Sequence, residues 1–169
     1  MITGGGHNDN VSTRENKKEN MAKTYQAPLF VRVGNVLTTT LLRAGFKLVG
    51  LGNYPMYLLT VRGRTSGQPR TVSIAIIERN GKRYLGSPFG VVAWVRNLRA
   101  AGEATLTRGR RSETVNAREL PKGEAALLLR EEIKGDNPFA RYYGVTADSS
   151  LEEFERAVLT HPLFVLERN

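Results

Sequence analysis

The sequence contains no cysteine and only two histidines, His7 and His161, among its 169 residues. The absence of cysteine excludes disulfides, thiolate catalysis, iron–sulfur clusters and cysteine-ligated zinc. Because His7 lies in a polar N-terminal stretch, a histidine metal site and a Ser/His/Asp triad are also disfavoured, and we expect no metal. An enzyme with this composition is expected to take its chemistry from a bound cofactor.

Nucleotide motifs and long apolar segments are missing as well. The sequence has neither GxxxxGK followed by Ser or Thr nor a GxGxxG after a predicted strand, so it lacks the usual signals of ATP hydrolysis and of Rossmann-type NAD binding. The first ten residues carry no apolar core of a secretory signal, and no segment reaches the roughly 18 apolar residues of a membrane span. We therefore expect a cytoplasmic protein.

Acidic residues are outnumbered by basic ones. The 25 Lys and Arg residues against 16 Asp and Glu give a formal charge of +9, and the sequence pI is about 10.2. This excess calls for an acidic partner, which could be nucleic acid, an anionic membrane surface, or a phosphorylated or polycarboxylate small molecule. Composition alone leaves these three classes open.

The N-terminal part of the chain has two segments of different character. Residues 1–24 are polar and carry too little apolar surface to offset the entropy of ordering, so we predict a disordered tail followed by one domain over residues 25–169. From Pro28 to Val49 the apolar side chains recur on one helical face. Three cations share another face: Arg32, Arg43 and Lys47. This amphipathic helix either docks on the domain or rests on an anionic membrane.

The central part of the chain is predicted to be rich in strands. Tyr57–Val61 and Thr71–Ile77 are β-branched or aromatic runs separated by the loop RGRTSGQPR. Asn80 and Gly81 suit a type I′ turn, which predicts a hairpin from the second strand to a third at Lys82–Gly86.

Helices and strands alternate over the rest of the chain. Helices are predicted at Val92–Ala101, from Pro121 to near Gly135, and from a Ser150/Glu153 capping box to about Leu159. Further strands are predicted at Glu103–Thr107, Glu113–Leu120 and His161–Glu167. At least six strands in antiparallel order, interrupted by helices, favour an α+β barrel over a doubly wound sheet.

Two clusters of residues could carry chemistry. The loop after the first strand combines guanidinium groups, hydroxyls and flexible backbone in Arg64, Thr65, Ser66 and Arg70, which suits phosphate or carboxylate, although exposed basic turns often have the same composition. The second cluster begins with SPFG and continues into a helix where Trp94 and Asn97 share a face. It suits a flat heterocycle, whereas a lone tryptophan on a short helix is also typical of a core.

Together the two clusters resemble a known family. The string TVRGRTSGQPRTVSIAIIERNGKRYLGSPFG, followed by AWVRNLRAAGEATL and the terminal HPLFVLE, resembles the deazaflavin-dependent nitroreductases, a branch of the flavin and deazaflavin split-barrel oxidoreductases. The resemblance runs from about Tyr57 to Glu167. It implies an FMN-binding-like split β-barrel, mainly antiparallel, with flanking helices. It also implies a reductase that transfers hydride from reduced coenzyme F-420 to a quinone, nitroaromatic or enone, with FMN the less favoured coenzyme.

The resemblance also implies roles for residues of this sequence. The loop would bind the coenzyme's phosphate and acidic tail through Arg64, Thr65, Ser66 and Arg70. The residues that would meet the deazaflavin ring are Ser87, Pro88, Phe89, Trp94 and Asn97. On the acceptor side, Ser87, Tyr142 and Tyr143 could supply hydroxyls, although the tyrosines could equally serve packing.

Two other classes of function remain open at this point. A nucleic-acid-binding module is suggested by the pI and by Arg108, Arg110 and Arg111, but these arginines lack interleaved aromatic residues, so no nucleic acid is expected as partner. A lipid, flavin or haem-binding split barrel without reductase activity is the other alternative. If the N-terminal helix rests on lipid, the protein is peripheral to the inner face of the membrane.

Overall fold

The computed structural model describes residues 54–135 and 137–168, so the predicted tail and the predicted helix Pro28–Val49 lie outside the described residues. The described part contains seven strands, three α-helices and one 3-10 turn. The strands are β1 Met56–Arg62, β2 Pro69–Ala75, β3 Ile77–Arg79, β4 Lys82–Gly86, β5 Glu103–Arg108, β6 Arg111–Glu119 and β7 Leu163–Arg168. The helices are α1 Ala93–Ala101, α2 Lys122–Lys134 and α3 Leu151–Thr160, and the 3-10 turn is Ala140–Tyr142.

The strands form one antiparallel sheet in the order β2-β1-β5-β6-β7-β4-β3. β2 and β3 stand at the two ends of this order, yet in the chain only Ile76 separates them. The sheet therefore curls round until its two edges meet at Ile76, which is fully buried and donates its N–H to the carbonyl of Pro55. This curled sheet with flanking helices confirms the predicted α+β split barrel.

The predicted single strand Thr71–Ile77 is wrong in one respect. The run divides at Ile76, so that β2 pairs with β1 while β3 forms the hairpin with β4. The turn of this hairpin is as predicted, because Asn80 and Gly81 both adopt left-handed backbone conformations, with φ of 51° and 71°. The apolar pattern continues through the bend because Ile76 and Ile77 are both buried, and a local pattern cannot show that the pairing partner changes.

The described residues form two hydrophobic cores, one inside the barrel and one between the sheet and the last two helices. The barrel core joins strand residues such as Leu59, Leu106 and Phe164 to Val95 and Leu98 of α1. The second core packs α2 and α3 together through Ala126, Leu129, Phe154 and Val158, with Leu163 of β7. We call residues 120–160, which contain α2, the 3-10 turn and α3, the lobe.

The helix ends follow the sequence signals. The capping box of α3 is confirmed, since Ser150 Oγ accepts from the N–H of Glu153 at 3.3 Å and the Glu153 carboxylate accepts from the N–H of Ser150 at 2.7 Å. α1 ends at Ala101, as predicted, and is capped by Gly102 in the left-handed conformation. No helix within residues 54–135 and 137–168 is long and apolar enough to cross a membrane.

Candidate functional site

The loop Gly63–Gln68, which we call the glycine loop, joins β1 to β2 and is braced by its own backbone. The N–H of Gly63 donates to the carbonyl of Gln68, and the N–H of Gly67 donates to the carbonyl of Gly63, both at 2.8 Å. A Cβ on Gly63 would lie 2.9 Å from Ser66 Oγ and 3.0 Å from the Gln68 carbonyl oxygen, so a side chain does not fit there. The backbone bonds fix the loop and leave its side chains to project outward.

The predicted tail-binding residues Arg64, Thr65, Ser66 and Arg70 are all exposed. Neither arginine forms an ion pair with a carboxylate in the part of the chain that the structure describes. Among the described hydrogen bonds, none uses the backbone N–H of Thr65 or Ser66. The loop thus presents cationic, hydroxyl and backbone donors without an acidic partner, a donor set that fits phosphate and carboxylate groups.

Asn97 joins the glycine loop to helix α1. Its side chain is only 7% exposed, and its Oδ1 accepts from the backbone N–H of Arg64 at 3.3 Å and from Arg64 Nη1 at 3.4 Å. The two clusters singled out in the sequence therefore meet in space, although they lie 33 residues apart. The side-chain oxygen of Asn97 is therefore used as an acceptor for Arg64. Its amide nitrogen remains available to donate a hydrogen bond to a ligand.

The turn Ser87–Gly90 has its polar side chain turned inward. Ser87 is 1% exposed, its Oγ donates to the carbonyl of Gly90 at 2.5 Å, and its N–H donates to the carbonyl of Pro162 at 3.1 Å. Gly90 has φ of 75°, and a Cβ there would lie 3.3 Å from the carbonyl oxygen of Thr160. Ser87 therefore holds the turn against the end of α3, and its hydroxyl hydrogen is already used within the turn.

An aromatic cluster links this turn to the lobe. The ring of Phe89 lies 4.8 Å from that of Tyr142 and 6.3 Å from that of Phe139, measured between ring centroids. The Arg141 guanidinium lies over the Tyr142 ring, and its Nη2 donates to the Tyr142 hydroxyl oxygen at 2.7 Å. Phe139 is missing from the sequence predictions because nothing in its loop distinguishes it before Phe89 is known to reach it.

The two adjacent tyrosines occupy different surroundings. Tyr142 is half-buried, whereas Tyr143 is 5% exposed and its hydroxyl oxygen lies so close to Gly86 that a Cβ there would be 2.7 Å away. Burial raises the pKa of the Tyr143 phenol well above its usual value, and the negative charge of Glu132 raises it further. Tyr143 therefore keeps its proton and belongs to the core, while Tyr142 stays accessible.

Trp94 packs against the barrel core. Its ring centroid lies 6.2 Å from that of Phe164, and the side chain remains half-buried. Pro88 is also half-buried, in the turn before α1. Both the core and the ring-side interpretations of Trp94 are thus compatible with its position.

A buried carboxylate ties the lobe to the barrel. Glu132 of α2 accepts from the hydroxyl of Tyr54 at 2.7 Å and pairs with Arg79 of β3 at 3.4 Å. Its side chain is 8% exposed, whereas that of the neighbouring Glu131 is 57% exposed. Glu132 is not distinguishable in the sequence, because two consecutive glutamates on a helix look alike until the packing face is known.

The comparisons with known proteins concern most of the described chain. Residues 37–151, more than half of the sequence, match the family described as F-420H(2)-dependent quinone reductase. A solved structure named as an F-420-H2 dependent reductase (FDR-A) is 25% identical, with 67% of this chain and 94% of that chain covered and a TM-score of 0.47. Another, described as a domain-swapped dimer, is 24% identical, with 78% of this chain and 95% of that chain covered, and its TM-score of 0.50 reflects a shared fold. No curated protein is significantly similar to this sequence.

The family match agrees with the chemistry of the glycine loop. The glycine loop carries donors suited to an anionic cofactor tail, and the family match covers this loop and the turn Ser87–Gly90. The acceptor of such an enzyme is a small molecule of the quinone type. The chain belongs to the F-420H(2)-dependent quinone reductase family and is an oxidoreductase that uses coenzyme F-420.

Proposed function

We propose that this chain reduces a quinone, nitroaromatic or enone at a site between the glycine loop, α1 and the lobe. The observation that supports this placement best is the contact of Asn97 with Arg64, because it brings the two motifs of the family resemblance into one site. The same contact holds Arg64 toward α1, so that tail and ring contacts come from neighbouring elements.

The tail of the coenzyme is assigned to the glycine loop. Arg64 and Arg70 are exposed and carry no described acidic partner, so an incoming phosphate or carboxylate does not have to displace an existing ion pair. Thr65 and Ser66 add hydroxyl donors beside them. Charge-assisted hydrogen bonds of this kind are stronger than neutral ones, so the two arginines dominate the affinity.

The ring side is assigned to Pro88, Phe89, Trp94 and the amide nitrogen of Asn97. Ser87 acts as a positioning residue, since its buried hydroxyl fixes the turn that carries Pro88 and Phe89. When bound, the reduced coenzyme supplies the hydride, so the protein needs no nucleophile or metal of its own. The apolar side chains exclude water from the reacting ring.

The acceptor side is assigned to Tyr142. An acceptor carbonyl that receives hydride needs a hydrogen-bond donor or a proton at its oxygen. Arg141 donates to the Tyr142 hydroxyl oxygen, which leaves the phenolic hydrogen free to point to an acceptor. Tyr143 is too deeply buried for this role and serves packing, and Ser87 has its hydrogen committed to Gly90.

The two tyrosines provide a matched test. We expect Tyr142→Phe to lower kcat for menadione roughly tenfold or more while coenzyme affinity stays unchanged, because only the donor to the acceptor is lost. Tyr143→Phe should keep kcat within about twofold of wild type, since a buried hydroxyl that does not meet the acceptor contributes little to the reaction. The readout is the loss of absorbance of the reduced coenzyme. Equal kcat values for wild type and Tyr142→Phe would remove Tyr142 from the site.

We also propose that the segment Pro28–Val49, outside the described residues, rests on an anionic membrane near lipophilic quinones. Its cationic face of Arg32, Arg43 and Lys47 supports this, since basic amphipathic helices bind anionic lipid. In vesicle sedimentation, the full chain should partition into anionic vesicles more than into neutral ones. A variant with all three residues changed to Gln should lose that preference. Equal partitioning of both proteins would make the segment a packing element.

A further inference from the structure

An open recess lies at the end of β1 opposite the glycine loop. It is an open groove of about 1980 Å³ between the β3/β4 turn and the β5/β6 turn, with Tyr57 and Leu106 among its lining residues. The register places it there, because Arg62 pairs with Pro69 beside the glycine loop whereas Met56 pairs with Ala75 at the opposite end. Its volume exceeds the ~300–1,000 Å³ of a usual small-molecule pocket, so it has room for an extended ligand.

The charges of this groove are not balanced. Its lining includes seven basic side chains and three carboxylates. Glu113 is already used, since it pairs with Arg83 and with Arg168, and the Arg83 contact holds the pKa of Glu113 below its usual range. Four cations form no ion pair with any carboxylate in residues 54–135 and 137–168: Lys82, Arg108, Arg110 and Arg111. They lie in or directly beside the two turns that border the groove.

Arg108 is held in the wall of the groove by its contact with Tyr57. Its guanidinium carbon lies 5.4 Å from the centroid of the Tyr57 ring, and the Tyr57 hydroxyl donates to Glu78 at 3.3 Å. Its Nε is buried and has no hydrogen-bond partner within the described part of the chain. Arg108 as a whole is only half-buried and lines the groove, so the rest of its guanidinium group is available to an anion that enters it.

We propose that this groove binds an extended small molecule bearing several phosphates, with Arg108 in its wall and Lys82, Arg110 and Arg111 at its border. Guanidinium groups match phosphate oxygens in pairs, and four unpaired cations on two facing turns match three or four closely spaced negative charges. The site is separate from the coenzyme site, since the tail of F-420 is assigned to the glycine loop at the far end of β1. It accounts for part of the basic excess of the chain that the coenzyme loop does not use.

Inorganic tripolyphosphate is the probe for this proposal, titrated calorimetrically into the full chain at low salt. We expect saturable binding that Arg108→Gln weakens roughly tenfold or more, because a charge-assisted contact is lost. Arg110→Gln and Arg111→Gln should weaken it about two- to fivefold each, since their charges are exposed. Arg118→Gln is the matched control, an exposed arginine of β6 outside the groove, and should leave the affinity unchanged. None of these variants should alter F-420 binding.

Several outcomes would overturn the proposal. Absence of saturable tripolyphosphate binding would do so directly. Equal weakening by Arg118→Gln and Arg110→Gln would mean general charge attraction. Loss of binding in Arg70→Gln would place tripolyphosphate in the glycine loop. If a single-stranded oligonucleotide bound more tightly than tripolyphosphate through the same arginines, the partner would be nucleic acid instead. Arg110 and Arg111 are exposed, so their variants keep the test valid even if Arg108→Gln does not fold.

Discussion

The glycine loop and the lobe use charge in opposite ways. In the loop and at the start of β2, Arg64 and Arg70 are exposed and have no described acidic partner, and backbone hydrogen bonds together with the Asn97 contact hold the loop in shape. In the lobe, Glu132 is buried and is satisfied by Tyr54 and Arg79, while Tyr143 is buried with its proton retained. An exposed charge without a partner is available to bind a ligand. Removing one member of a buried, partnered set of charges instead lowers the free energy of unfolding.

This difference predicts that mutations will separate into two groups. Changes in the loop should weaken coenzyme binding and leave the free energy of unfolding nearly unchanged. Changes inside the lobe should lower the free energy of unfolding and leave the coenzyme affinity of the folded protein nearly unchanged. A residue that links the two regions should affect both quantities.

The largest effect is expected in the lobe core. Phe154 is fully buried between α2 and α3, so Phe154→Ala should lower the free energy of unfolding by about 3–5 kcal/mol through lost contacts and a cavity. Chemical denaturation measures this, with coenzyme titration of the folded variant beside it. Leu159→Ala, at a 65% exposed position of the same helix, is the control and should cost little. A tenfold loss of coenzyme affinity in folded Phe154→Ala would break the proposed separation.

Asn97 is the residue expected to affect both quantities. Asn97→Ala removes the two hydrogen bonds that hold Arg64, and we expect coenzyme binding to weaken roughly five- to tenfold, about 1–1.4 kcal/mol. The free energy of unfolding should fall by a similar amount because the side chain is buried. Arg99→Gln is a control on the same helix, since Arg99 pairs with Glu119 instead of the loop. Wild-type affinity in Asn97→Ala would show that the contact does not organise the site.

The parts of this structure that sequence predicts are those encoded by neighbouring residues. The turn at Asn80 and Gly81 needs only two residues that tolerate left-handed backbone, and the α3 capping box needs only Ser150 and Glu153. The division of Thr71–Ile77 at Ile76 is different in kind. The first part of this apolar run pairs with β1 and its last part pairs with β4. Which residue changes partner is determined by the closure of the barrel, which a local sequence pattern does not encode.

The same distinction applies to the site. The glycine loop was predictable because its glycines, hydroxyls and arginines are contiguous in sequence. The contacts of Phe89 with Phe139 and Tyr142 were not, because they join segments about 50 residues apart, and the burial of Glu132 depends on Tyr54 and Arg79. Ser87 looked like a free hydroxyl in the sequence, and only the turn geometry shows that Gly90 accepts its hydrogen.

The smallest expected effect is on stability and concerns Glu113, which pairs with Arg83 and Arg168 outside both the glycine loop and the lobe. It tests whether a charge that has a partner contributes to the free energy of unfolding. Arg83 and Arg168 hold the pKa of Glu113 below its usual range, so the pair contributes stability above about pH 4 that is lost as the pH falls through the lowered pKa. Glu113→Gln should therefore cost about 0.5–1 kcal/mol at neutral pH and nothing once Glu113 is protonated in both states. Thermal unfolding across pH measures this. A difference that persists unchanged in acid would contradict the assignment.

The central claim is that Arg64 of the glycine loop and Arg70 at the start of β2 bind the anionic tail of F-420. A coenzyme titration of Arg70→Ala tests it most directly. Trp94, the single tryptophan, provides the fluorescence signal, and Arg118→Ala serves as the control for loss of one exposed positive charge. We expect Arg70→Ala to weaken binding by roughly 10- to 150-fold, about 1.5–3 kcal/mol, with the wild-type Tm retained and with added salt weakening the binding of wild type more than that of the variant. Wild-type affinity in a folded Arg70→Ala variant, or an equal loss in Arg118→Ala, would contradict the claim.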